Sequence, residues 1–234
     1  MDYKYKFFKY KYKYIQLKYQ IGGKTNKFFM INVEKKLKEL IFNNDQTNIY
    51  KLIKKYSPKN IVKKNTDKFM IILEKSIDKM LYFRYTFSYA VPTKKVINKI
   101  TKFIGNDKVL EVGAGKGLWA SLLDKEGVDI IATDDLSWND KRFYIQVKKM
   151  DAIKAINKYD VNILMMIWPP NDPMAFNGLK KFEGNKLIYI GERDGCTGCD
   201  KFRKELIKNW KLVKTIDIPN WYGLWDKVYL YKRQ

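Results

Sequence analysis

The 234-residue chain contains no histidine. That one absence removes Ser-His-Asp and Cys-His nucleophile systems, and histidine-ligated metals with them. Cysteine is scarce as well: Cys196 and Cys199, in Cys-Thr-Gly-Cys, are the two thiols. A structural zinc takes four nitrogen or sulfur ligands, which two thiols without histidine cannot supply, so no metal site is expected. The pair reads as a turn carrying two reduced thiols, the state expected of a reducing compartment. Long apolar runs are also missing. Phe69–Leu73 and Ile163–Trp168 are the longest candidates, far short of the roughly 20 residues a membrane-spanning helix needs. No uninterrupted apolar stretch follows the cationic N-terminus, so a secretory signal is not expected. The expectation is a soluble cytoplasmic protein with no membrane partner.

Arginine is rare too: Arg84, Arg142, Arg193, Arg203 and Arg233 are all there is, in a chain with 47 basic and 25 acidic residues and a net charge of +22. Such a charge is the electrostatic footprint of an RNA or DNA partner. The abundance of Lys, Asn, Ile, Tyr and Phe is equally what AT-rich codons yield, with lysine keeping a surface solvated. Composition alone leaves both readings open.

What is present is a chain long enough for one full domain and an extension, with 46% hydrophobic residues to build its core. Residues 1–20 alternate aromatic and lysine side chains (Tyr3, Tyr5, Phe7, then Phe8, Tyr10, Tyr12, Tyr14 across Lys4, Lys6, Lys9, Lys11, Lys13), with room for a bulge at Phe7-Phe8. Their period of two suits a ribbon able to stack bases and neutralise phosphates, or a low-complexity product of codon usage. Helical spacing predicts helices over Val33–Phe42, Ile49–Tyr56 and Lys68–Phe83, so residues 21–91 read as a helical N-terminal appendage. Lys94–Ile104 is helical again.

From Lys108 strand and helix alternate, which assigns residues 92–234 to one α/β domain. Strands are expected at Lys108–Val112, Val128–Thr133, Phe143–Lys148, Val161–Ile167, Lys186–Ile190, Lys211–Ile218 and Lys227–Tyr231. Helices are expected at Gly117–Lys125, 173–183 and Asp200–Trp210. The first five strands are short and apolar, as buried parallel strands are. The last two have no helical pattern between them and pair as a hairpin. The sum is a seven-stranded doubly wound sheet, mostly parallel, with a C-terminal antiparallel hairpin.

Ligands in such sheets bind outside the carboxyl ends of the strands. Those ends carry Glu111, then Asp134 and Asp135, then Asp151, then Trp168-Pro169-Pro170-Asn171, then Glu192. The first is followed by Gly113-Ala114-Gly115-Lys116-Gly117, a turn in which glycine lets the backbone take positive φ and approach a ligand. A P-loop is excluded, because Gly115-Lys116 is followed by Gly117 and Leu118 rather than Ser or Thr. A nicotinamide site matches by offset at Gly115, Gly117 and Ala120, with Asp134 at ribose distance. Glu111 argues against it, since its charge would face the pyrophosphate; a ligand with a cationic amino-acid end suits it better.

Glu111-x-Gly113-x-Gly115-x-Gly117 resembles motif I of the class I S-adenosylmethionine-dependent methyltransferases, and the likeness extends over Lys94–Lys232. It implies S-adenosylmethionine as cofactor. Asp134 would bind the ribose hydroxyls and Asp151, beside Ala152, the adenine amino group. The turn (Gly113, Ala114, Gly115, Gly117) and Glu111 would hold the methionine end. Tyr85-x-x-Ser88-Tyr89-Ala90-Val91-Pro92-Thr93, Ile167-Trp168-Pro169-Pro170, Tyr189-Ile190-Gly191-Glu192 and Gly195-Cys196-Thr197-Gly198 resemble an uncharacterised methyltransferase-like branch with a Trp-Pro-Pro motif.

Trp168-Pro169-Pro170 stands where amino methyltransferases carry Asp/Asn/Ser-Pro-Pro-aromatic. Trp168 replaces the polar acceptor and Asn171 the aromatic residue. The Pro169 carbonyl then acts either as acceptor for a base amine, with Trp168 or Tyr89 stacking on the base, or as part of a rigid pocket wall. Ribose 2′-O transfer would want an acid where Trp168 stands. Glu192 and Tyr89 are the candidates for taking a proton. The functions implied are methyl transfer to a nucleic acid or nucleotide or, alternatively, a silent methyltransferase-like module that binds nucleic acid or protein.

Overall fold

A computed structural model describes residues 36, 39, 40, 43, 48, 51, 83, 84, 87–137, 143–221 and 224–234. The aromatic–lysine ribbon of residues 1–20 lies outside them, as do most residues of the three helices expected before residue 83. The chain divides into two compact units, Met1–Lys38 and Glu39–Gln234. The expected boundary between 91 and 92 lies inside the second unit, where Phe83, Arg84, Phe87, Ala90 and Val91 are buried.

The elements run α1 (Lys94–Ile104), β1 (Val109–Val112), α2 (Leu118–Asp124), β2 (Ile130–Asp134), β3 (Val147–Lys149), α3 (Ala152–Lys158), β4 (Ile163–Ile167), α4 (Met174–Lys181), β5 (Lys186–Gly191), α5 (Asp200–Asn209), β6 (Trp210–Asp217) and β7 (Lys227–Arg233). Thr93 starts α1 by accepting the Val96 N–H on its hydroxyl, and Gly105 at φ 65° ends it. The seven strands form one sheet in the order β3-β2-β1-β4-β5-β7-β6. The pairs from β3 to β5 are parallel, while β7 runs antiparallel between β5 and β6. The expected fold is therefore present, with the closing hairpin inserted so that its second strand adjoins β5. Strand order reverses between β1 and β4, which is the switch point of the sheet.

Side chains alternate across each strand. Leu110, Val112, Leu164, Met166, Leu187 and Tyr189 pack with Ala155 and Ile156 of α3, Leu179 of α4, and Phe202 and Leu206 of α5. Val109 and Glu111 consequently face the other side, toward α1 and α2. Two local expectations shift. The third strand begins at Val147 rather than Phe143, because Phe143 is exposed and the Tyr144 N–H donates to the Lys116 carbonyl instead of a ladder. Helix α3, with Ala152, Ala155 and Ile156 buried, was not expected. No helix among the described residues is long and apolar enough to cross a membrane.

Candidate cofactor and acceptor site

The carboxyl ends of β1, β2 and β3 bring one group of residues together. Glu111 is 1% exposed, and its Oε2 has no hydrogen-bond partner among the described residues. Burial, and then the nearby Asp134 charge, push its carboxyl up to about 8, against a smaller pull from the Ala120 N–H in the first turn of α2. The turn after it takes left-handed φ at Gly113 (67°), Gly115 (56°) and Gly117 (74°). Three of its amides have partners within the protein. Ala114 N–H donates to the Thr133 carbonyl at 3.0 Å, Gly115 N–H to Asp134 Oδ2 at 2.8 Å, and Gly117 N–H to the Ala114 carbonyl at 2.9 Å. A Cβ on Gly115 would meet nothing within 4 Å, whereas one on Gly117 would lie 2.6 Å from Ile145 Cγ2. Gly115 thus borders open space and Gly117 is packed shut. A Cβ on Gly113 would come within 3.7 Å of Met174 Cε at the start of α4.

Asp134 is buried, and both its oxygens accept backbone N–H groups, from Gly115 and from Leu136, the latter at 2.8 Å. Leu136 stands at φ 54°. Asp151 is exposed and caps α3, accepting the N–H groups of Ile153 (2.9 Å) and Lys154 (3.2 Å). Ala152 beside it is buried. Asp151 also lines a cavity of about 530 Å³ with Asp135, Lys149, Met150, Lys154 and Lys158.

The ends of β4 and β5 gather the second group. Trp168 is in the left-handed region at φ 49°, a conformation that costs a bulky residue about 1–3 kcal/mol. Its backbone N–H donates to the Ile190 carbonyl at 2.7 Å. Its indole Nε1–H donates to Asp226 Oδ1 at 2.7 Å. Tyr89 lies against the ring, centroids 5.1 Å apart, and the Arg84 guanidinium sits 4.3 Å from the Trp168 centroid and 5.0 Å from that of Tyr89. Pro169 is buried, and its carbonyl accepts the Gly198 N–H at 3.0 Å, within the loop after β5; Pro170 is exposed. Glu192 is buried, with Oε1 accepting the Trp225 N–H at 2.9 Å and Oε2 the Cys196 N–H at 3.2 Å. Cys196 and Cys199 are free thiols.

Arg84 and Asp226 were missing from the inventory of strand ends. Asp226 is 2% exposed, and burial pushes its carboxyl up to about 7 against the pull of Arg84, with Glu192 adding to the rise. It could have been found from the hairpin: an antiparallel strand begins at the edge where parallel strands end, so the residue before β7 belongs to the same rim. Arg84 carries no comparable signal.

No protein-family model matches the chain, and no curated protein matches it. Solved structures with similar folds include ribosomal protein L11 methylase from Lactobacillus delbrueckii subsp. bulgaricus. It is 13% identical over 59% of this chain and 75% of its own, with a TM-score of 0.42. A putative SAM-dependent methyltransferase from Streptococcus mutans is 13% identical over 61% of this chain and 49% of its own, TM-score 0.43. Magnesium protoporphyrin IX methyltransferase from Synechocystis PCC 6803, with bound SAM, is 9% identical over 86% and 97%, TM-score 0.44. The likeness is one of fold. The chain spans about half of the Streptococcus protein it matches, and the chemistry of the site is read from its own residues.

Proposed function

We propose that the chain is an S-adenosylmethionine-dependent methyltransferase acting on a nucleic acid or nucleotide. Glu111 carries this reading: a buried carboxyl with one oxygen unpartnered among the described residues, at the foot of a left-handed turn that borders open space at Gly115. These residues fit the cofactor. Glu111 and the turn would hold its cationic amino-acid end, Asp134 the ribose hydroxyls, and Asp151 with Ala152 the adenine. When bound, that group supplies an electrophilic sulfonium methyl. The same residues disfavour a dinucleotide, because the N–H groups of Ala114, Gly115 and Gly117 already donate to Thr133, Asp134 and Ala114, and a buried acid stands behind the turn.

The chain's own contribution is to position the acceptor and exclude water. Trp168 and Tyr89 form an aromatic wall beside the switch point. Pro169, whose carbonyl accepts the Gly198 N–H, ties this wall to the loop after β5. Support for a nucleic-acid acceptor comes from the net charge of +22 and from Trp225, 71% exposed and tied through its N–H to Glu192 on the same rim.

Thermal unfolding with S-adenosylhomocysteine and with NAD, followed by transfer of a labelled methyl group to RNA, DNA and mononucleotides, tests the proposal. Stabilisation by S-adenosylhomocysteine together with labelled nucleic acid is the expected result. Stabilisation by NAD alone overturns it. Cofactor binding without transfer to any acceptor identifies a silent module instead.

A further inference from the structure

Trp168 has a backbone conformation that its own chain does not favour, so its orientation has to be imposed from elsewhere. Two side chains distant in sequence meet it. We propose that Asp226 and Arg84 are positioning residues that fix the indole of Trp168, so that Trp168 and Tyr89 form one immobile wall of the methyl-acceptor pocket; this rests on the methyltransferase reading of the site. The Asp226 Oδ1 contact at 2.7 Å sets the rotation of the indole, since only one ring position carries an N–H. The Arg84 guanidinium, 4.3 Å from the ring centroid, sets the plane and bridges to Tyr89.

The acid is itself anchored. Asp226 N–H donates to Asn220 Oδ1 at 2.6 Å, and Asn220 Nδ2 donates back to the Asp226 carbonyl at 3.1 Å. Among the described residues, the charged and titratable groups facing Asp226 are Arg84, from the segment before α1, Glu192 and Cys196, from the loop after β5, and Tyr229 of β7. Arg84 alone among them is positive. It therefore has two tasks, stacking on Trp168 and neutralising the acid that holds Trp168. Loosening either residue releases the ring on two sides.

The test uses full-length protein labelled with 5-fluorotryptophan, which gives one fluorine resonance for each of its six tryptophans. Trp168→Phe assigns the relevant line, and Trp119 and Trp210 report that the fold is intact. Wild type and Asp226→Asn, whose amide oxygen still accepts from Nε1–H, should each show one narrow Trp168 line. Asp226→Leu and Arg84→Gln should broaden or split that line while those of Trp119 and Trp210 stay in place. A single, unshifted Trp168 line in both variants overturns the proposal, and a response in one variant alone removes the role of the other residue. Should Asp226→Leu fail to fold, Arg84→Gln decides by the same criterion. Calorimetry with S-adenosylhomocysteine on the same samples separates the two readings. No binding by wild type sinks the cofactor assignment; binding with an unresponsive Trp168 line sinks the wall alone.

Discussion

The Gly115 N–H donates to Asp134 Oδ2 at 2.8 Å, so the turn that ends β1 is closed by the acid that ends β2. Asp134 therefore builds the turn as well as facing the proposed ribose position. Asp134→Ala strands two N–H groups, those of Gly115 and Leu136, at about 1–3 kcal/mol each where water cannot reach them. It should lower the melting temperature and abolish stabilisation by S-adenosylhomocysteine. Asp134→Asn keeps one acceptor oxygen for two donors and should fall between. A wild-type melting curve and wild-type ligand shift in Asp134→Ala would show that the acid does neither job.

Two glycines of the turn should part company. Alanine at Gly115 meets no neighbour and suffers backbone strain alone, on the order of 1–2 kcal/mol. Its methyl enters the space assigned to the cofactor, so Gly115→Ala should fold and lose S-adenosylhomocysteine binding. Alanine at Gly117 adds collisions with Ile145 and Val147 at 2.6 and 3.0 Å to comparable strain, so Gly117→Ala should be the less stable protein. Denaturant midpoints and isothermal calorimetry of both variants check this. The reverse order of stability, or tight ligand binding by Gly115→Ala, would move the site elsewhere.

Glu111 gives a pH signature. Its carboxyl is raised from 4.5 to about 8, so the folded chain holds a proton that the unfolded chain releases above about 4.5. That contribution to stability is full below about 4.5 and lost as pH climbs toward 8. Asp226, raised from 3.8 to about 7, acts in the same sense over a lower window. Glu111→Gln should flatten the decline in melting temperature between pH 5 and pH 8. Binding of a ligand with an ammonium group near Glu111 favours its ionised form, so at pH 7 it should release a proton. Calorimetric enthalpies in buffers of different ionisation enthalpy read that release. A buffer-independent enthalpy would place the ammonium away from Glu111.

Much of this site was legible in the sequence because it is local. Glu111 through Gly117 lie on one strand and one turn, and Asp134 and Asp151 close strands whose apolar runs are readable. Helix α1 was legible through the apolar spacing of Val96, Ile97, Ile100 and Phe103. The rest depends on contacts the chain order hides. Asp226 meets Trp168 across 58 residues, and only the insertion of β7 beside β5 brings them together. Hairpin pairing was evident from the missing helix between β6 and β7; which hairpin strand adjoins β5 was not. Helix α3 has a local signal as well, since Asp151 is a regular N-cap followed by apolar residues at helical spacing, but the same acid at the end of a strand equally suits a ligand role. Phe143 to Ile145 look like strand by composition, yet Tyr144 N–H bonds the glycine turn and Ile145 covers Gly117.

The nucleic-acid half of the proposal is the most exposed to test. Lysine contacts with phosphates release counterions, so affinity for RNA or DNA should fall steeply as salt rises from 50 to 200 mM. Stacking on an exposed indole contributes about 1–3 kcal/mol per base, so Trp225→Ala should weaken binding roughly 5- to 150-fold at fixed salt. That substitution should leave the salt slope unchanged, because it removes no charge. Removing residues 1–20, which carry a dense run of lysines, should do the opposite, lowering the slope if the aromatic–lysine ribbon touches phosphate. Fluorescence anisotropy with a labelled single strand across a salt series measures both quantities. Affinity indifferent to salt, to Trp225 and to the first 20 residues would mean that the positive charge only solvates the surface, and the acceptor would then have to be sought among small molecules or proteins.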